Sequence, residues 1–145
     1  MRIPEETVRQ WQISPADKAA LVDLPDAVPP YFHADVQLEA VPTMRGGGYR
    51  FANDLGLHIG VSARGVYAVD PLDEMPDLFV NSTVADLVEF LRETGLFLSV
   101  ATGVAEDEVA ARVGAIRERL ERRDLAAFGE HTWWPLVFDQ MEAGM

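Results

Sequence analysis

The sequence predicts an α+β fold, with a largely antiparallel sheet in the first half flanked by helices, and a helical second half. Three observations lead there. Leu57, Ile59 and Val61 alternate with His58, Gly60 and Ser62, and a second apolar run, Val66–Val69, follows a glycine-bearing turn. Beyond Pro76 the periodicity changes to helical, with apolar residues at i, i+3, i+4 and i+7. With 145 residues, 48% of them hydrophobic, the chain can bury roughly 70% of its unfolded surface, so one domain over residues 1–145 forms a core without staples.

The elements follow in order. Ser14 is a helix N-cap, with Pro15 at the first helical position and Asp17 three residues on, and predicts a short helix to about Val22. Pro25, Pro29 and Pro30 then force an extended or turning segment through Tyr31 and Phe32. The alternation in Val36–Val41 predicts a strand, Arg45–Gly48 breaks it, and Tyr49–Phe51 resumes one. Gly65 can take the positive φ that a tight hairpin needs, so the runs on either side pair antiparallel until Asp70-Pro71 ends the ladder.

Leu78–Val80 is a short apolar run leading to Asn81, Ser82 and Thr83, all capable N-caps, with Asp86 three residues after Thr83. Val84, Leu87, Val88 and Leu91 then make one helical stripe, which Gly95 ends or kinks. The next helix opens on Glu106, Asp107 and Glu108 and closes on Arg119, Arg122 and Arg123, in agreement with the helix dipole, and Val109, Val113, Ile116 and Leu120 line one face. A turn over Asp124–Phe128 leads to Thr132, the expected cap of a last helix. Pro135 is tolerated in its first turn, and its apolar stripe is Trp134, Val137, Phe138 and Met141.

Composition excludes several classes. No cysteine is present, which removes disulfides, thiolate metal sites and a cysteine nucleophile, and fits a cytoplasmic protein. A formal charge of -12 repels phosphate backbones and anionic lipid headgroups, so neither nucleic acid nor membrane is expected as a partner. The start of the chain, MRIPEETVRQW, lacks the organisation of a secretory signal, and the longest weakly charged stretch, Thr94–Val104, is well short of the roughly 20 residues a membrane helix needs.

Catalytic patterns are thin. Arg45–Gly48 has neither the spacing of a phosphate-binding loop nor a helix at its end, and reads as a flexible turn. His33, His58 and His131 are scattered, so no metal ligand set is expected, and His58 should face solvent opposite Leu57 and Ile59. Ser82 stands between a strand and a helix, but its context, VNSTV, lacks the glycines of a nucleophile elbow, and capping explains it. Trp133 and Trp134 could stack on a ligand, although their helical continuity with Val137 and Phe138 places at least one in the core. No catalytic, metal or cofactor site is therefore expected.

One segment stands out. Asp70, Asp73, Glu74 and Asp77 lie together around Pro71 and Pro76, and form the candidate docking surface for a basic partner, which dense like charge would steer in. Glu106, Asp107 and Glu108 form a second candidate.

Local strings in this order resemble the SUKH superfamily of bacterial immunity proteins, in particular its fourth group. They are Gly65–Asp70, Leu78–Ser82 and Asp124–Phe128 followed by Trp133-Trp134, and the similarity extends over most of the chain from about Ser14. The resemblance implies an α+β domain without catalytic activity or cofactor. It also implies binding of a cognate polymorphic toxin, often a nuclease or deaminase, inside the producing cell, and it carries over no site residue. A domain of charge -12 is suited to occupy a toxin's basic groove as a mimic of its polyanion. The alternatives are a regulatory or scaffold module that binds another protein, and a small hydrolase built on Ser82 or a carboxylate.

Overall fold

A computed structural model describes residues 5–34 and 43–143. The elements are α1 (Glu5–Arg9), α2 (Pro15–Leu21), β1 (Ala27–Val28), β2 (Phe32–Ala34), β3 (Tyr49–Asp54), β4 (Leu57–Ser62), β5 (Gly65–Val69), β6 (Leu78–Asn81), α3 (Val84–Val100), α4 (Glu106–Arg123), a 3-10 turn (Leu125–Phe128) and α5 (Trp134–Glu142). The strands form one sheet in sequence order, each antiparallel to the next. This is the predicted α+β arrangement. The expected strand Val36–Val41 lies outside the described residues.

Local chemistry accounts for the ends of the elements. Ser14 Oγ accepts the Asp17 N–H at 3.1 Å, the expected cap of α2. Asp17 also acts at a distance: its carboxylate accepts the Val84 N–H at 2.9 Å, satisfying one of the free amides that begin α3. Thr83 caps α3 by accepting the Asp86 N–H at 3.1 Å. Gly65, at φ +126°, makes the β4–β5 hairpin possible.

Register decides the core face. Ile59 and Val61 of β4 stand opposite Ala68 and Val66 of β5, all four are buried, and α2, α3 and α5 contribute to the same core. On the reverse face Tyr67 and Phe79 are half-buried register partners, with rings 5.4 Å apart and perpendicular. Met44 closes over Gly60 there: a Cβ on Gly60 would meet its sulfur at 2.9 Å and the Tyr49 carbonyl oxygen at 2.3 Å, so only glycine fits. The β6 edge is covered by the backbone around Thr132, with Phe79 N–H donating to His131 O at 3.0 Å and Trp133 N–H to Phe79 O at 2.9 Å.

Three expectations change, and one choice is decided. Gly95 does not end α3, which runs on to Val100. The glycine faces Val28, whose methyls would lie 3.7 Å from an added Cβ, so the helix continues across β1. Thr132 does not cap α5; its hydroxyl donates to Gly129 O at 2.6 Å, and the helix starts without a side-chain cap. His58 is half-buried, and its Nε2 lies 3.3 Å from Arg50 Nη1, because cross-strand neighbours crowd it. Ser82 caps nothing. Its hydroxyl donates to Asp124 Oδ1 at 2.7 Å. Both tryptophans belong to the core, Trp133 at 1% exposure and Trp134 at 0%. No helix among the described residues is long and apolar enough to cross a membrane.

Candidate docking surface

The acidic segment is the β5–β6 connection, and it is built inward as well as outward. Pro71 cannot donate to a ladder, so the chain leaves the sheet after Val69. Asp70, only 9% exposed, then shapes the turn: its carboxylate accepts the Leu72 N–H at 2.9 Å and the Glu74 N–H at 3.1 Å. Asp73 takes φ +56°, a conformation aspartate tolerates better than most residues. Asp70 is therefore a shaping residue, with its carboxylate bound to its own loop.

Arg45 organises the remainder. Its Nε donates to Asp70 O at 2.8 Å, and its guanidinium pairs with Asp77 at 2.8 Å and Asp73 at 3.2 Å. Gly46, Gly47 and Gly48, all at positive φ, let the chain fold back so that this arginine reaches the loop. The predicted flexible turn thus has a structural task. Four carboxylates against one guanidinium leave the loop with a net charge of -3 (4 acids minus 1 base).

Apolar side chains stand among these charges. Leu72 is 74% exposed and Met75 51%. Leu55, 89% exposed and at φ +46°, forms the β3–β4 turn. The pairings Asp54–Leu57 and His58–Val69 put that turn at the same end of the sheet as the acidic loop. Apolar anchors set within a charged surround suit a protein interface. Sequence reasoning missed Leu55, Leu72, Met75 and Arg45. Two large apolar residues inside an acidic, proline-bounded loop were the available signal.

Glu106, Asp107 and Glu108 are exposed in the first turn of α4, on a different element from the loop. Asp107 Oδ1 accepts the Glu108 N–H at 3.0 Å, and Glu108 pairs with Arg112 at 2.6 Å. Ala105 offers no side-chain cap, so these acids serve the amino end of the helix.

Beside the docking end lies Asp54, which accepts the Trp133 indole N–H at 2.8 Å. Burial raises its pKa above the ordinary carboxylate value, outweighing that hydrogen bond and the charge of His33, both of which lower it. A raised folded-state pKa means that the native state holds the proton more tightly than the unfolded chain. Its contribution to stability is therefore present at low pH and lost as pH rises through the folded value. Asp54→Asn should accordingly be more stable than the parent at pH 7 and converge with it below about pH 4. Urea unfolding of both proteins across that range checks this; an unchanged gap refutes it.

Among the described residues, neither Ser82 nor the histidines join a catalytic triad. Ser82 Oγ is hydrogen-bonded to Asp124 with no histidine between them, whereas an activated serine needs a base to take its proton. His33 and His58 both stand opposite Asn53, on strands to either side of it. Among the described residues no group of three or more His, Cys, Asp or Glu could hold a metal ion. A cavity of about 320 Å³ at the ends of α3, α4 and α5 is lined by Phe97, Ala101, Val104 and Met141 with the carboxylates Glu106 and Glu142, among others.

A family model described as SUKH-4 immunity protein matches residues 1–140. No curated protein and no solved structure matches the chain.

Proposed function

The chain belongs to the SUKH-4 immunity protein family, and from that premise we propose that it neutralises a cognate polymorphic toxin by covering the toxin's basic active-site groove. The partner is a protein whose groove evolved for phosphate, in a nuclease or deaminase. The immunity protein acts in the cytoplasm of the producing cell, without cofactor or catalytic step. One observation carries this reading: the β5–β6 loop presents Asp73, Glu74 and Asp77 together with exposed Leu72 and Met75. Carboxylates steer the encounter and set its salt dependence, and the apolar side chains slow dissociation once water is expelled. Glu106, Asp107 and Glu108 offer the alternative contact should the loop not be used.

The test pairs this protein with the product of the neighbouring gene. Co-expression should rescue growth from that product, and the two should co-purify. Asp73→Asn, Glu74→Gln and Asp77→Asn together should slow association several-fold at about 50 mM salt and have little effect at about 1 M, where screening is nearly complete. Asp70 is left intact because it shapes the loop. A neighbouring product that is neither toxic nor bound refutes the immunity reading; unchanged association at low salt removes the loop from the interface.

A further inference from the structure

We infer that the exposed α3–α4 face is a self-association surface, on which two copies of the chain pair their α4 helices antiparallel about a two-fold axis near Ala115. Toxin binding by the loop is not required for this. An apolar groove of about 440 Å³ runs between the two helices, with Phe97, Ala115 and Ile116 among its lining residues. Leu96 and Val100 border it at 59% and 58% exposure. The ion pair between Arg119 and Glu93 at 2.8 Å holds α3 alongside, so Leu96 and Val100, about one and two turns beyond Glu93, flank the middle and the amino-terminal half of α4.

Charge selects the occupant. Two copies at -12 each repel over most of their surfaces, but α4 itself is neutral. Its five acids, Glu106, Asp107, Glu108, Glu118 and Glu121, are balanced by Arg112, Arg117, Arg119, Arg122 and Arg123. The signs are also ordered, acidic in the first turn and basic in the last. An isologous contact places residue i against j and j against i. With Ala115 at the axis, Glu108 meets Arg122 of the other copy, both side chains lie near the centre of the contacting face, and both are exposed. The Glu108–Arg112 pair within each helix, with side chains about half exposed, can share its charges with the second copy. Ala111 and Ala115 are exposed and small, which allows close approach, and Leu96 and Val100 from both copies cover the seam.

Sedimentation velocity on the full chain over about 5 to 500 μM should show a species of twice 16.0 kDa growing with concentration. Leu96→Asp should weaken the dimer at least about tenfold while far-UV circular dichroism, and Tm at a concentration where both proteins are monomers, stay unchanged, because the residue is exposed in the monomer. Arg122→Glu and Glu108→Arg should each weaken it about tenfold, and their combination should restore it, because each copy then presents the reversed pair. Glu108→Arg is the stricter variant: it reduces the magnitude of the net charge from -12 to -10 (one acid replaced by one base), so any weakening cannot come from overall repulsion. A monomer at every concentration, a dimer indifferent to Leu96→Asp, or a double reversal no tighter than the single variants overturns the proposal.

Discussion

Trp134→Ala is expected to lower the unfolding free energy by about 3–5 kcal/mol, enough to leave a domain of ordinary stability barely folded. The indole is fully buried where α5 meets the sheet. Its ring centroid lies 4.8 Å from Trp133, 5.2 Å from Phe90, 5.9 Å from Tyr31 and 5.9 Å from Phe138. Alanine would remove those contacts and leave a void that four rigid rings cannot collapse to fill. It would also orphan Asn81 Oδ1, which accepts the indole N–H at 2.8 Å. Trp134→Phe separates the two effects, since it keeps most of the packing and loses the hydrogen bond, at about 1–3 kcal/mol. Urea denaturation of the three proteins measures both steps. An alanine variant within about 1 kcal/mol of the parent would mean that this aromatic cluster does not hold the helices to the sheet.

Asp124→Ala should cost about 2–4 kcal/mol through a different mechanism. Asp124 ends α4, where a negative charge opposes the helix dipole by about 0.3–1 kcal/mol, so helix electrostatics cannot explain its place there. Its hydrogen bonds can. The carboxylate, 6% exposed, accepts from Asn81 Nδ2 at 3.0 Å, Ser82 N–H at 2.8 Å and Ser82 Oγ at 2.7 Å. Bonds to a charged acceptor contribute about 1.5–3 kcal/mol each, which outweighs the dipole, and alanine would strand several donors at once. Asp124→Asn should cost less than alanine, because its carbonyl can still accept from Asn81 Nδ2 and Ser82 N–H and its amide can donate to Ser82 Oγ, a hydroxyl that also accepts, so chiefly the charge assistance is lost. Thermal unfolding of Ser82→Ala and Asp124→Ala, singly and combined, tests the network: costs that simply add would show that the two residues act independently.

These two residues also show how much could be read in advance. Trp134 lay on an apolar helical stripe with Val137, Phe138 and Met141, and all four are core. That inference needed only the helical period. Local pattern puts Asp124 at a turn and makes Ser82 a cap, because sequence separation hides a bond between residues 42 positions apart. The candidate surface divides in the same way. Its charge was legible, since four acids between prolines are visible in one line of sequence. The inward turn of Asp70, the arginine clasp from Arg45 and the adjacency of Leu55 were not, because each depends on how separate strands end in space. His58 failed for a related reason: alternation along one strand says which way a side chain points, and only the neighbouring strands say whether that side is filled.

By itself, then, the order of residues determined the period of each half, the hairpin at Gly65, the ends of α2 and α4 and the anionic character of the whole, because these depend on neighbours within about four positions. Tertiary structure alone decided that Gly95 lies inside a helix, that Asp17 completes the start of α3 from another helix, and which carboxylates face outward. The physical reason is that a backbone group or a charge takes whatever partner the folded chain brings within about 3 Å, and local pattern cannot specify a partner that arrives from far along the chain.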